Sequence, residues 1–154
     1  MTPARRALSY ASLDEVMPDV DRLLRGHTTA GSWSLAQICR HLALSIHCTI
    51  DGFPARAPWI VRKTIGRLLL RRILRTGRFV EGMKAPAAYQ PDPGADERAE
   101  AEGLRAALRR LADHRGPLVE HPMGGWVTRE EWERFHCAHC AHHLSFAVPA
   151  PAAG

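Results

Sequence analysis

The chain has 154 residues, of which 45% are hydrophobic and 24% charged, and a formal net charge of +5. That length suits a single domain, residues 1–154, which buries roughly 70% of its unfolded surface and needs no disulfide staples. No apolar run reaches the roughly 18 residues of a membrane span, and MTPARRALSY at the N-terminus carries charge without the apolar core of an export signal, so the expected location is the cytoplasm. Cys39, Cys48, Cys137 and Cys140 are accordingly expected as reduced thiols.

Helical periodicities recur along the chain and strand alternation does not, so the class expected is all-α. Residues 1–10 are expected to fray. Ser12 and Glu15 read as a capping box that opens a helix to about Arg25, with Pro18 interrupting it or delaying its start. Ser34 and Gln37 cap a second helix that runs to about Asp51, where Gly52-Phe-Pro54 stops it. Trp33, just before that cap, can staple onto Ile38. Residues 53–95 form a long connection with its own helix, roughly Pro58 to Thr76. A third bundle helix spans about Asp96 to His114, opened by PDPGADE and closed by Gly116-Pro117. HPMGG, 121–125, reads as a turn. Thr128 and Glu131 then cap a fourth bundle helix, with Val127 stapling Trp132, that ends near Val148 ahead of a frayed tail, 149–154. Four helices with one long crossover make a four-helix bundle in which helices two and three run parallel, in the order up-down-down-up, with an extra helix in the crossover.

The last helix contains HCAHCAHH, 136–143, with four of the nine histidines of the chain. On a wheel of about 100° per residue that starts at Trp132, His139 and His143 fall inside the stripe of Trp132, Phe135 and Phe146. His136 and His142 flank it, and Cys137 and Leu144 point away. Two imidazoles four residues apart stand close enough to share one ion. Satisfied core histidines account for the pattern equally well.

A third ligand has to come from elsewhere, and His41, His47, His114 and His121 are the candidates. If helix two opposes the last helix, His41 lies about 10 Å along its axis, level with His139 and His143, whereas His47 lies about 9 Å deeper. His41 fits better, although it stands about 100° off the Leu35, Ile38, Leu42, Ile46 stripe.

Two other signals compete. Cys137-x-x-Cys140 lies mid-helix, without the helix N-terminus that activates a redox pair and without zinc-finger spacing, so buried thiols are the better account. RAPWIVRKTIGRLLLRRILRTGR, 56–78, has eight basic residues and no acid. Ile65, Leu68, Leu69 and Ile73 can form its apolar face. A helix packed on the bundle with a solvated basic face is favoured over one laid on an anionic membrane or nucleic acid, and its charge can also draw an anionic substrate to the site.

WSLAQICRHLALS (33–45), HPMGGWVTREEW (121–132) and HCAHHLSF (139–146), in this order and spacing, resemble the DinB/YfiT-like superfamily of metal-dependent enzymes, and most of all its DinB-like branch, the domain of unknown function 1569. The resemblance implies a metal triad of one histidine from helix two and an H-x-x-x-H pair from the last helix, here His41, His139 and His143. It also implies an activity such as the thiol-dependent isomerases and S-transferases of the superfamily, in which the metal binds and activates a low-molecular-weight thiol. Family members often carry Gln soon after the last histidine, and here Ser145-Phe146 follows; Cys137 and Cys140 are further departures.

The expectation is therefore one divalent ion on three histidines, zinc first, with nickel, iron or copper also suited to imidazole. The function expected is a metal-dependent enzyme, a thiol-dependent S-transferase or a hydrolase, against the alternative of a non-catalytic metal-binding or dimerising bundle. The partner expected is a small-molecule substrate such as a thiol, with no nucleic acid, no membrane insertion and, by analogy with similar bundles, a homodimer.

Overall fold

The computed structural model describes residues 4–80, 82, 90 and 96–151. It is mostly helical: a 3-10 turn at Leu13–Glu15, then α1 (Val16–Leu23), α2 (Leu35–Asp51), α3 (Trp59–Lys63), α4 (Ile65–Thr76), α5 (Glu97–Asp113) and α6 (Arg129–Leu144). Two short strands, β1 (His27–Thr29) and β2 (Ala147–Pro149), pair antiparallel. The PDPGADE opening lies largely outside the described residues; its Asp96 caps α5 by accepting from the N–H of Ala99.

Both strongest start signals form as read. Ser34 and Gln37 close a reciprocal capping box on α2, and Thr128 and Glu131 close one on α6. The Ser12 box does not form. Ser12 makes no side-chain cap, and Glu15 instead accepts from the N–H of Ala11 ahead of a 3-10 turn. Pro18 then falls in the first turn of α1, where its missing N–H leaves no helical bond unmade. The helix expected over 58–76 is divided at Thr64, whose backbone leaves helical geometry at φ −117°, ψ −106°.

The strands are the element the periodicity misses. Three residues each cannot show alternation, and β2 occupies what reads as the end of the last helix and the start of a tail. The other end is tied as well. The N–H of Arg6 donates to the carbonyl of Ser145 at 2.9 Å, and the Arg6 guanidinium bridges Asp19 of α1 and the carbonyl of Leu144.

α6 runs between two apolar clusters, which corrects the expectation of a single inward stripe. Cys140 and Leu144 join Leu23, Leu35, Ile38, Leu42, Ile46, Leu104 and others from α1, α2 and α5. Trp132, Phe135 and Ala138 join Leu70 and Ile73 of α4. Leu144 and Cys137, expected to point away, are both buried. α2 packs along α5 and against α6, and it too is buried on several sides, which is why His41 can be inward despite standing off the main stripe.

Candidate metal centre

Trp132, Phe135 and Val127 anchor one side of α6, and Cys140 and Leu144 anchor the other. The helix cannot rotate without exposing one set. This double anchorage aims His139 and His143 toward α2. There the Ser34 cap sets the start of the helix and the Leu35, Ile38, Leu42 row seats it in the core, which places His41 opposite.

The three rings converge. Nε2 of His139 lies 3.2 Å from Nε2 of His41 and 3.1 Å from Nε2 of His143. One ring nitrogen from each residue lies within 4.8 Å of the others. Two nitrogens bound tetrahedrally to one zinc at about 2.05 Å are roughly 3.4 Å apart, so the spacing is that of ligands to a common ion.

The chemistry of the donors agrees with the geometry. Burial holds His139 far below the ordinary imidazole range, with His143 and His41 beside it adding to the shift. Burial, with His41, His142 and Arg5 nearby, takes His143 down to about 2. Both rings are therefore neutral near pH 7 and offer lone pairs. A neutral imidazole has one N–H, and Nδ1 of His139 is buried with no hydrogen-bond partner among the described residues. The group can hold a metal ion, and that is how the fold can satisfy three crowded, desolvated rings.

Aromatic walls fix the ring planes. Trp33 stacks on His143 at 5.5 Å and 12° and tilts against His41 at 5.1 Å. Phe79 stacks on His139 at 5.3 Å. Trp33 reads in the sequence only as a helix staple, and nothing in the pattern marks Phe79, which reaches the site from the crossover.

The remaining histidines divide between structural roles and the cavity. His47 and His114 are not brought to the site: His47 meets Arg110, which pairs with Asp51, and His114 lies near the carbonyl of Pro117. His136 is fully buried, bonded to Thr49 Oγ1 at 3.0 Å and lowered by burial to about 3. His121 accepts the N–H groups of Met123 and Gly124 at Nδ1, which leaves the ring proton on Nε2. Burial, then Arg67, lowers it to about 4. His142 receives Arg5 at Nδ1.

A cavity of about 530 Å³ opens on the triad. α4 supplies one wall with Leu69, Leu70 and Ile73, and Phe53, Phe79 and Phe135 enclose it further. Beside the triad, His121, His142, Ser45 and Arg56 are its polar members, and no carboxylate lines it among the described residues. The cysteines stand apart from this chemistry. All four are buried free thiols, and burial pushes Cys39 up to about 12, Cys137 to about 11 and Cys140 higher still. Such groups stay protonated, against a redox role for the Cys-x-x-Cys pair.

Among the described residues no helix is long and apolar enough to cross a membrane. A family model matches residues 2–150, and its description is that of a protein of unknown function, DUF1569. No curated protein and no solved structure matches the chain.

Proposed function

The chain belongs to the DUF1569 family, whose description assigns no activity, and we propose from the site itself that it is a metal-dependent enzyme that transfers a small thiol onto an apolar electrophile. His41, His139 and His143 hold one divalent ion, zinc first among those that imidazole suits. The architecture is the DinB/YfiT-like four-helix bundle, with α1, α2, α5 and α6 as its helices and α3–α4 as the addition in the crossover. The packing of α2 along α5, and of both α1 and α2 against α6, supports that reading.

The observation that carries the proposal is three convergent ring nitrogens at the edge of a cavity large enough for a small substrate. Three protein ligands leave coordination positions open, as in catalytic sites. An ion held there by His41, His139 and His143 would supply Lewis acidity, the chemistry that lowers the pKa of a thiol or water. The chain's own groups do the rest. Leu69, Leu70, Ile73 and Phe79 hold an apolar body and exclude water. Nε2–H of His121 offers a hydrogen bond to a substrate oxygen or to the charge that develops on it. Arg56, at the cavity and exposed, draws an anionic group toward it.

The apolar lining, with Leu69, Leu70, Ile73 and Phe79 keeping bulk water out, favours a thiol over water as nucleophile. Hydrolysis is the runner-up, and a metal-binding bundle without turnover is the opposing class.

The test is metal content and turnover together. The purified protein should bind one equivalent of zinc or nickel and consume a small thiol with an apolar electrophile, and His41→Ala should abolish both. A protein that takes up neither metal removes the proposal. Metal uptake without turnover on any thiol leaves the binding bundle, and release of acid or alcohol without thiol consumption points to the hydrolase.

A further inference from the structure

The crossover helices do not use their apolar residues as their pattern suggests. Ile65 and Leu68, expected to pack inward, face solvent. With Trp59, Ile60 and Trp126 they are between 56% and 69% exposed. These five are all but one of the exposed large hydrophobics among the described residues. Four lie within ten residues of sequence, and Trp126 lies on a loop that Arg67 ties to α4 through the carbonyls of Gly124 and Trp126.

The rotation of α4 is fixed by close approach. A Cβ on Gly66 would stand 2.0 Å from the carbonyl oxygen of Met123, and one on Gly124 would stand 2.2 Å from Cδ2 of Leu70. The helix and the 121–125 turn therefore meet closely through two glycines, Gly66 against the Met123 backbone and Gly124 against the Leu70 side chain. Counting about 100° per residue from Ile65, the covered residues Gly66, Leu70 and Ile73 fall between roughly 80° and 140°. Leu68, Arg71, Arg72 and Arg75 fall between roughly 240° and 340°, on the opposite side. Arg71, Arg72 and Arg75 are exposed and form no ion pair with described residues.

We infer that α3 and α4 form a docking face for an anionic phospholipid surface, on which the protein adsorbs without crossing. Exposed Trp, Ile and Leu side chains interleaved with arginines are the chemistry of a helix that lies in the headgroup region, with apolar tips at the acyl boundary and cations on phosphate. Charge chooses between occupants. The segment 56–78 carries eight basic residues and no acid, so a two-fold contact with a second copy would set arginines against their own equivalents. Three of the five exposed tips, Ile60, Ile65 and Leu68, are aliphatic and offer nothing to the bases or phosphates of nucleic acid, whereas an acyl boundary takes them together with the indoles of Trp59 and Trp126. The inward side of the same helix walls the cavity through Leu69, Leu70 and Ile73, so docking would hold the metal centre behind the adsorbed helix. The docking itself is independent of the metal and of any turnover.

Vesicle flotation of the whole protein tests this. Vesicles of phosphatidylcholine with added phosphatidylglycerol should carry the protein at low salt, and phosphatidylcholine alone should not. Arg71→Gln, Arg72→Gln and Arg75→Gln should each weaken the partitioning about fivefold. The triple variant should lose about a hundredfold, and high salt should release the parent. Ile65→Ser with Leu68→Ser should weaken it as well. All five positions are exposed, and circular dichroism of the variants checks that the fold is kept. Absence of binding to the anionic vesicles at low salt overturns the inference, as does binding that the variants leave unchanged. A dimer in sedimentation equilibrium that Leu68→Ser splits overturns it too, by assigning the face to a second copy.

Discussion

A Cβ at position 66 would stand 2.0 Å from backbone oxygen, whereas one at position 103, also inside a helix, would meet nothing within 4 Å. The same substitution therefore has opposite signs at the two sites. Gly103→Ala should stabilise by up to about 1 kcal/mol, the helix propensity difference. Gly66→Ala should destabilise by about 1–3 kcal/mol, because α4 must back away from the turn it packs on. In a domain of this size each kcal/mol moves the thermal midpoint by about 2–4 °C, so two melting curves read the contrast. If Gly66→Ala melts no lower than the parent, the close contact between α4 and residues 121–125 is not what fixes the helix. This is also where sequence reading runs out. Propensity alone sees two helical glycines. The amphipathic pattern of the crossover offers Ile65 and Leu68 as readily as Leu70 and Ile73, and only the glycine pair decides between them.

Among elements, legibility follows how local the signal is. The α2 and α6 capping boxes each rest on side chains three residues apart, and both form. The Ser12 motif has the same spacing, yet the backbone after it takes a 3-10 turn. β1 and β2 are invisible locally, since each of their pairings joins residues about 120 apart and three pairs carry no pattern of their own. Thr128→Ala should cost about 1 kcal/mol of stability through the lost cap. His139 lies three turns beyond the cap, past the reach of end fraying, so zinc affinity should hold. Titration of the variant with zinc next to its melting curve separates the two, and a fall in affinity as large as the fall in stability would mean that the start of α6 positions the triad.

The candidate site was legible because its distance from start to finish is set by helix geometry. His139 and His143 share a face by four-residue spacing, and the rise per residue brings His41 level with them; the contacts of 3.1 and 3.2 Å follow. Trp33 and Phe79 were not legible as members of it, because which aromatic closes on a ring depends on how whole segments pack. The same holds for the chain ends. Arg6 joins α1 to the end of α6, just past His143, through Asp19 and the carbonyl of Leu144, and Tyr10 adds a bond to Asp19 at 2.7 Å. Burial works to raise the Asp19 carboxyl, but the Arg6 and Tyr10 hydrogen bonds outweigh it and hold it below its ordinary 3.8. A carboxylate lowered on folding stabilises fully above the unfolded value and loses that contribution as pH falls through the folded one. Asp19→Asn removes the contribution at every pH. The stability gap between parent and variant should then be flat from about pH 5 to 7 and narrow below about pH 4. Denaturant unfolding across that range reads it directly. A gap that stays constant into acid would show that the ion pair between the N-terminal segment and α1 contributes nothing to closing the molecule over the end of α6.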